Sequence, residues 1–334
     1  CGLFNALKSI REAATLPVNL VFAIEGEEEI GSPQFEPFIQ SHKDALCGTG
    51  VVDFDFSQDS RGKVTMHLGL KGIVYMDLVC RGGAAGGPME FSPHGSVSAW
   101  ISSPAWRLVQ FLASLTEDRE IIAVDQFYDN VQPPDDADTA LLEELARTFD
   151  EKAFLREMKS LCFKHDLHGI ELLKKGLYEP VINIDGIHAG YAGAGTKTIL
   201  PRKEKEKIDV RFGPNMEPEE VVEKLHRHRR NRGFEDVQIR VRDHYTWSKT
   251  GYAEPVVQQM IAAYRRHGMS PAVWPMATWA APYFVFSRLL KLPVVSGGLG
   301  HGGRQHAPNE YMTVDGLRDF EKFVATFLYL AGTK

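Results

Sequence analysis

Val18-Asn19-Leu20-Val21-Phe22-Ala23-Ile24-Glu25-Gly26-Glu27-Glu28-Glu29-Ile30-Gly31-Ser32-Pro33 is the stretch on which the reading of the chain turns. Residues 17–24 are almost wholly apolar, the pattern of a strand buried on both faces in a sheet covered by helices. The run ends in Gly26 and three consecutive carboxylates. Ser32-Pro33 then offers an N-cap and a first-turn proline, so a helix is expected from about residue 33 to 45. Acids are thereby held at the carboxyl end of a core strand, where open α/β sheets place their sites. A carboxylate acting as a base beside one that holds a metal fits this setting. A solvated acidic turn is the competing reading.

At 334 residues the chain exceeds the roughly 100–200 residues of a single domain, so two domains are expected. Its 43% hydrophobic and 25% charged residues are those of an ordinary soluble protein. A net charge of −6 speaks against a nucleic-acid partner, which requires a basic footprint. No apolar run approaches the roughly 18 residues needed to cross a bilayer, and no signal peptide is visible, so no membrane partner is expected. Cys1, Cys47, Cys80 and Cys162 are far apart and form no C-x-x-C pair. They fit a reducing compartment, hence the cytoplasm, and neither a disulfide framework nor a cysteine zinc site. Leu3, Phe4, Leu7 and Ile10 follow helical spacing directly behind Cys1, so the chain reads as beginning inside a helix, with an N-terminal portion expected ahead of it.

Further along, Val51, Val52, Phe54 and Phe56 mark a second buried strand whose exit carries Asp53, Asp55 and Asp59. A polar turn around Asp59-Ser60-Arg61-Gly62 is the alternative use of Asp59. Ile73 to Cys80 reads as a strand, followed by a glycine-heavy loop, His94-Gly95-Ser96, and a helix opened by Pro104. Taken alone, His94 is a surface histidine. Residues 117–180 form a charged, largely helical insert, with Leu142, Leu145, Phe149, Phe154 and Leu161 among the residues on its apolar face. Strands from Val181 and Lys207, a helix from Glu217 to Arg230 and a strand from Val237 then give the order of a small α+β sandwich. His226 to Arg230 closes that helix, where cations suit its dipole. After about residue 247 come helices over Pro255 to Tyr264 and Ala281 to Leu289, and a short strand over Leu292 to Val295. The glycine-rich loop behind them lacks the G-K-[ST] of a phosphate loop and carries His301 and His306 as candidate ligands. The expected architecture is α/β: a domain of residues 1–70 and 247–334, with a mixed sheet flanked by helices, interrupted at 71–246 by an α+β sandwich.

Glu25 to Ser32 together with Gln305 to Glu310 resemble the motifs of the co-catalytic dizinc peptidases and deacylases. That family contains carnosine dipeptidase, acetylornithine deacetylase, succinyl-diaminopimelate desuccinylase and aminoacylase-1. The resemblance extends over Gly69-Leu70-Lys71-Gly72, Lys197 to Pro201 and Val210 to Met216, and the last two lean toward the dipeptidases. It implies a zinc-dependent hydrolase of a dipeptide or small peptide, with Mn2+ or Co2+ as alternative ions. An N-acyl amino acid deacylase, or a non-catalytic protein of the same fold, is the alternative.

Residue by residue, the resemblance makes Glu28 the general base and Glu29 and His306 ligands of one zinc. Asp55 becomes the carboxylate of the second zinc, with Asp59 and then Asp53 as the next candidates. The inserted sandwich becomes a lid and dimerisation domain of a homodimer. In it, His94 would reach a partner subunit's oxyanion, Arg211 would grip a substrate carboxylate, and Thr198 and His244 would be further substrate contacts. Two departures stand out. The serine that the dipeptidases carry before a proline appears here as Ala280-Ala281-Pro282, and the family's first zinc histidine and bridging aspartate would fall ahead of Cys1. The stretch from Cys1 onward is therefore expected to be inactive by itself.

Overall fold

The computed structural model describes residues 2–83, 86–304 and 307–332. Helix α1 (Gly2–Ala13) leads into an extended run, then α2 (Phe35–His42), β1 (Val51–Phe54), β2 (Thr65–His67), β3 (Gly69–Leu70) and β4 (Gly72–Arg81). Next come α3 (Pro104–Ser114), α4 (Asp136–Thr148), α5 (Glu151–Glu157) and α6 (Gly169–Tyr178). They are followed by β5 (Val181–His188), β6 (Lys203–Phe212), α7 (Pro218–Asn231), β7 (Val237–Tyr245) and β8 (Ser248–Lys249). Helix α8 (Pro255–Arg266), β9 (Ala272–Trp274), β10 (Val294–Gly297) and α9 (Val314–Gly332) complete the labelled elements.

One four-stranded sheet has the order β1-β10-β2-β9 and is mixed: β1 runs parallel to β10, β10 antiparallel to β2, and β2 parallel to β9. Its core joins Met66 and Val295 to Tyr264 of α8 and to Phe323, Val324 and Phe327 of α9. Ala6 of α1 is buried in the same cluster, with Leu3, Leu7 and Ile10 packed beside it. A second four-stranded sheet, β5-β6-β4-β7, is antiparallel throughout. Alternation along β4 sends Val74, Met76, Leu78 and Cys80 to one face, against Leu108 and Phe111 of α3 and Val221 and Leu225 of α7. The opposite face carries Tyr75 and Asp77 of β4 and, in register with it, Asp209 and Arg211 of β6. The helical insert packs through Leu142, Leu145, Leu173 and Leu177 against Met276 and Trp274.

The expected strand over 17–24 does not form. Val21, Phe22 and Ile24 are 56%, 41% and 71% exposed, and among the described residues no strand pairs with this run. An apolar extended segment becomes a strand only when a neighbour takes up its backbone hydrogen bonds. Here it runs as extended coil, with Val18 and Leu20 packed at the edge of the α9 core and Phe22 stacked on Phe4 at 5.6 Å. The helix expected from residue 33 begins only at Phe35, because the Ser32 hydroxyl binds Glu25 instead of capping it. Within the expected helix over residues 281–289, the structure places a π-helical turn at Val285–Leu289. The other expected strands and helices fall within a few residues of their expected bounds, whereas β2 and β9 of the mixed sheet carried no expectation.

Candidate functional site

The acidic stretch is a compact turn. Glu28–Ile30 form one 3-10 turn, closed by Gly31 at φ 92°. Ser32 follows at φ 47°, is buried, and donates from Oγ to Glu25 Oε1 at 2.8 Å. The turn is fastened to the end of β7: the Tyr245 hydroxyl donates to the Gly31 carbonyl. A side chain at Gly31 would place its Cβ 2.5 Å from Asp243 Oδ2, so this contact and the positive φ both call for glycine. Burial pushes the Tyr245 phenol up to about 12, and the charges of Asp243, Glu25 and Glu28 add to the shift. Glu28 and Glu29 themselves are exposed on the outside of this clamped turn.

Register places Arg211 on the same sheet face. Ile73 of the central β4 pairs with Arg211 on one side and with Tyr245 on the other. Arg211 and Tyr245 therefore stand in one row, two strand spacings or roughly 10 Å apart along the sheet. Arg211 donates from Nε to Asp209 Oδ1 at 2.9 Å. Asp209 also accepts from Asn183 Nδ2 at 2.9 Å, and its neighbour Asp185 is raised to about 6 by burial and by the charge and hydrogen bonding of Asp209. His244 lies on the other face. It pairs with Val74, and its Nε2 is 3.9 Å from Glu219 of α7, so the structure does not bring it to Arg211.

Asp55 lies just beyond β1. Its N–H donates to the Gly297 carbonyl at 3.1 Å, and Gly298 packs so closely that a Cβ would fall 2.3 Å from the Asp55 carbonyl oxygen. The residue is exposed at the surface, yet desolvation of its carboxyl by the protein around it raises its pKa, and the charge of Asp53 raises it further. Asp53 accepts the Tyr283 hydroxyl. Asp59 is engaged in its own turn: Oδ1 accepts from Arg61 N at 2.9 Å and Lys63 N at 2.8 Å. Of the two loop histidines, His301 has Nδ1 2.8 Å from the Gln58 carbonyl and Nε2 3.1 Å from the Tyr311 hydroxyl. His306 lies outside the described residues.

His94 and Thr198 are brought together. The His94 backbone bridges to Ile199, and Gly95 N donates to the Thr198 carbonyl at 3.1 Å. His94 Nδ1 accepts from the Ser96 backbone N–H at 3.2 Å, which leaves the ring proton of the neutral imidazole on Nε2. Nε2 lies 2.8 Å from Thr198 Oγ1. An exposed N–H donor of defined tautomer results.

Glu29 and Asp55 are accessible oxygen donors, a chemistry that suits a divalent ion. Among the described residues, however, no group of three or more His, Cys, Asp or Glu side chains is arranged to hold a metal ion. The described residues therefore do not by themselves make a metal centre. Sequence reasoning missed Tyr245 and Asp243, whose packing against Gly31 is a tertiary contact without a local signature. It also read Lys71 only as part of a junction motif, although that lysine is 2% exposed.

A mixed α/β core thus carries a carboxylate turn clamped to a second, antiparallel sheet. The pattern of Peptidase family M20/M25/M40 matches residues 1–331, and the chain belongs to that family. It is 26% identical over 231 residues to the Beta-Ala-His dipeptidase of Mus musculus, covering 67% of this chain and 44% of that protein. It is 25% identical over 221 residues to the Cys-Gly metallodipeptidase DUG1 of Saccharomyces cerevisiae, covering 64% of this chain and 43% of that one. The match thus spans less than half the length of these curated relatives. Among solved structures, the M20 family metallo-carboxypeptidase Sso-CP2 from Sulfolobus solfataricus superposes with a TM-score of 0.89 at 27% identity, covering 99% of this chain and 74% of that one. Among the described residues no helix is long and apolar enough to cross a membrane.

Proposed function

We propose that the full-length protein hydrolyses an amide bond of a dipeptide or small peptide, as a zinc-dependent homodimer. The observation that carries this reading is the shared sheet face of Arg211 and the Glu28 turn, held there through Tyr245. A spacing of roughly 10 Å between their strands suits a substrate of about two residues. The two curated relatives named above are dipeptidases by name, which favours this substrate class over N-acyl amino acids.

In this reading Glu28 takes a proton from the attacking water and later delivers it to the leaving amine. Glu29, Asp55 and His306 are the ligands this chain contributes to the metal. Bound zinc supplies Lewis acidity and lowers the pKa of water. Arg211 holds the substrate carboxylate, for which its planar fork is suited. The Nε2–H of His94 exchanges Thr198 Oγ1 for the developing oxyanion, in the partner subunit's site. The sandwich of residues 71–246 acts as lid and dimerisation unit. The test is amine release from simple dipeptides by full-length protein with and without Glu28→Gln. Equal rates would end the proposal.

A further inference from the structure

Alternation along β6 sends Lys203, Lys205 and Lys207 to the open face of the antiparallel sheet and buries Glu204 and Glu206 on the helix side. Register sets Arg81 of β4 beside Lys203, and Arg240 of β7 in one row with Asp77 and Lys207. Arg242 reaches the same row, since its Nε donates to Asp77. Asp77 is 1% exposed and is the one carboxylate of these rows among the described residues. It is shared: Lys205 Nζ lies 3.0 Å from its Oδ2, and Arg242 pairs with the same oxygen. Six cations thus stand around a single acid, on a chain whose net charge is −6. All of them except Lys205 are exposed. Beside them, where β5 bulges between Ile184 and Gly186, a cavity of about 350 Å³ is lined by Gly186, Ile187, His188, Lys205 and Lys207. The next row on this face, of Asn183, Asp209, Tyr75 and Asp243, is acidic and separates the patch from Arg211.

We propose that this patch is a docking site for a short, extended acidic segment of another protein. Lys203, Lys205 and Lys207 stand two residues apart on one strand, a repeat of roughly 7 Å. Carboxylates on alternate residues of an extended peptide repeat at the same interval, so a peptide laid along β6 offers one acid to each cation. The basic stretch of β6 is roughly 14 Å long, which suits about three such acids. One turn of duplex nucleic acid, roughly 34 Å, would overrun it onto the acidic row and the negative remainder of the chain. Exposed ion pairs are individually weak, so binding depends on several being made at once. The cavity beside β5 gives room to a side chain of the bound peptide. The inference rests on the charge and spacing of this face and does not require the proposed hydrolysis.

The experiment is fluorescence anisotropy of a labelled peptide of four Glu-Thr repeats, titrated with this chain without metal. The peptide is acetylated and amidated, so it offers no terminal carboxylate to Arg211. Binding is expected at about 20 mM salt and roughly tenfold weaker at about 150 mM, where exposed charges are screened. The double variant Lys203→Glu with Lys207→Glu is expected to lose roughly tenfold or more in affinity. Lys203→Gln with Lys207→Gln serves if the charge reversal does not fold. Arg211→Gln is expected to bind as the unaltered chain does. A peptide of the same composition with its glutamates in one block is expected to bind more weakly, because alternate acids then face away from the sheet. No binding of millimolar peptide, unchanged affinity in a folded Lys203 and Lys207 double variant, or loss of binding in Arg211→Gln overturns the inference. So does equal affinity for the block peptide, or tighter binding of a thymidine oligonucleotide of equal charge, which would assign the patch to nucleic acid. None of these arms measures turnover, so each outcome leaves the hydrolytic reading to its own test.

Discussion

Thr198 Oγ1 lies 2.8 Å from Nε2 of His94, and the backbone N–H of Ser96 fixes the imidazole tautomer that makes this nitrogen the donor. A donor held in place before reaction costs no reorganisation when charge develops. In the full-length protein His94→Ala is therefore expected to lower kcat by about 10²–10³ with little change in KM. Because the site is proposed to be shared, mixing His94→Ala with Glu28→Gln subunits, each inactive alone, is expected to restore activity. No recovery despite demonstrated subunit exchange would place His94 in its own subunit's site.

Glu28 and Glu29 are adjacent on one clamped turn and are assigned separate roles. Glu28→Gln in the full-length protein is expected to keep its metal and lose turnover by about 10²–10⁴, the contribution of a positioned general base. Glu29→Gln is expected to lose metal. Metal content and turnover of the two variants check this, and the opposite pattern would reverse the assignment.

Asp55 and Asp59 can be told apart. Asp59 is committed to the Arg61 and Lys63 backbone, so Asp59→Ala is expected to cost about 0.5–2 kcal/mol of stability and leave metal binding intact. Asp55→Ala in the full-length protein is expected to abolish binding of one metal. Loss of metal in Asp59→Ala and not in Asp55→Ala would exchange them.

Gly31 combines φ 92° with the close approach of Asp243. Gly31→Ala is expected to destabilise the turn by about 1–3 kcal/mol and to reduce activity together with Tyr245→Phe, which removes the other fastening. Hydrogen exchange confined to residues 25–32 would show the release. Unchanged protection in both variants would mean that the β7 contact does not hold the turn.

Glu206 is buried on the helix side of β6, and its Oε2 finds no hydrogen-bond partner among the described residues. Burial raises its pKa from 4.5 to about 7, with the charge of Glu204 adding. Between these values the folded state binds more protons than the unfolded state, so stability falls as pH rises from 4.5 to about 7. Glu206→Gln is expected to flatten this slope and to stabilise the protein above pH 7 by an amount on the order of 1–3 kcal/mol. Denaturant melts at pH 5 and pH 8 measure it; equal destabilisation at both would refute it.

Local pattern alone determined much of this chain. The apolar run from Ile73 to Cys80 marked β4, helical spacing of Leu3, Phe4, Leu7 and Ile10 marked α1, and the Glu25 to Ser32 motif marked the acidic turn, because these signals lie within one element. The proposed roles of Glu28 and Glu29 rest on that same local motif. Tertiary structure decided what depends on neighbours far along the chain. Residues 17–24 have the composition of a buried strand, yet no ladder partner reaches them among the described residues, and a strand is a property of a pair. His94 meets Thr198 across 104 residues, and Tyr245 meets Gly31 across 214. The face that Arg211 occupies, and that His244 does not, followed only from the register of β4 with β6 and β7, since a shift of one residue exchanges the faces. The buried charge of Lys71 was equally invisible, because desolvation depends on what folds over a residue and not on its sequence neighbours.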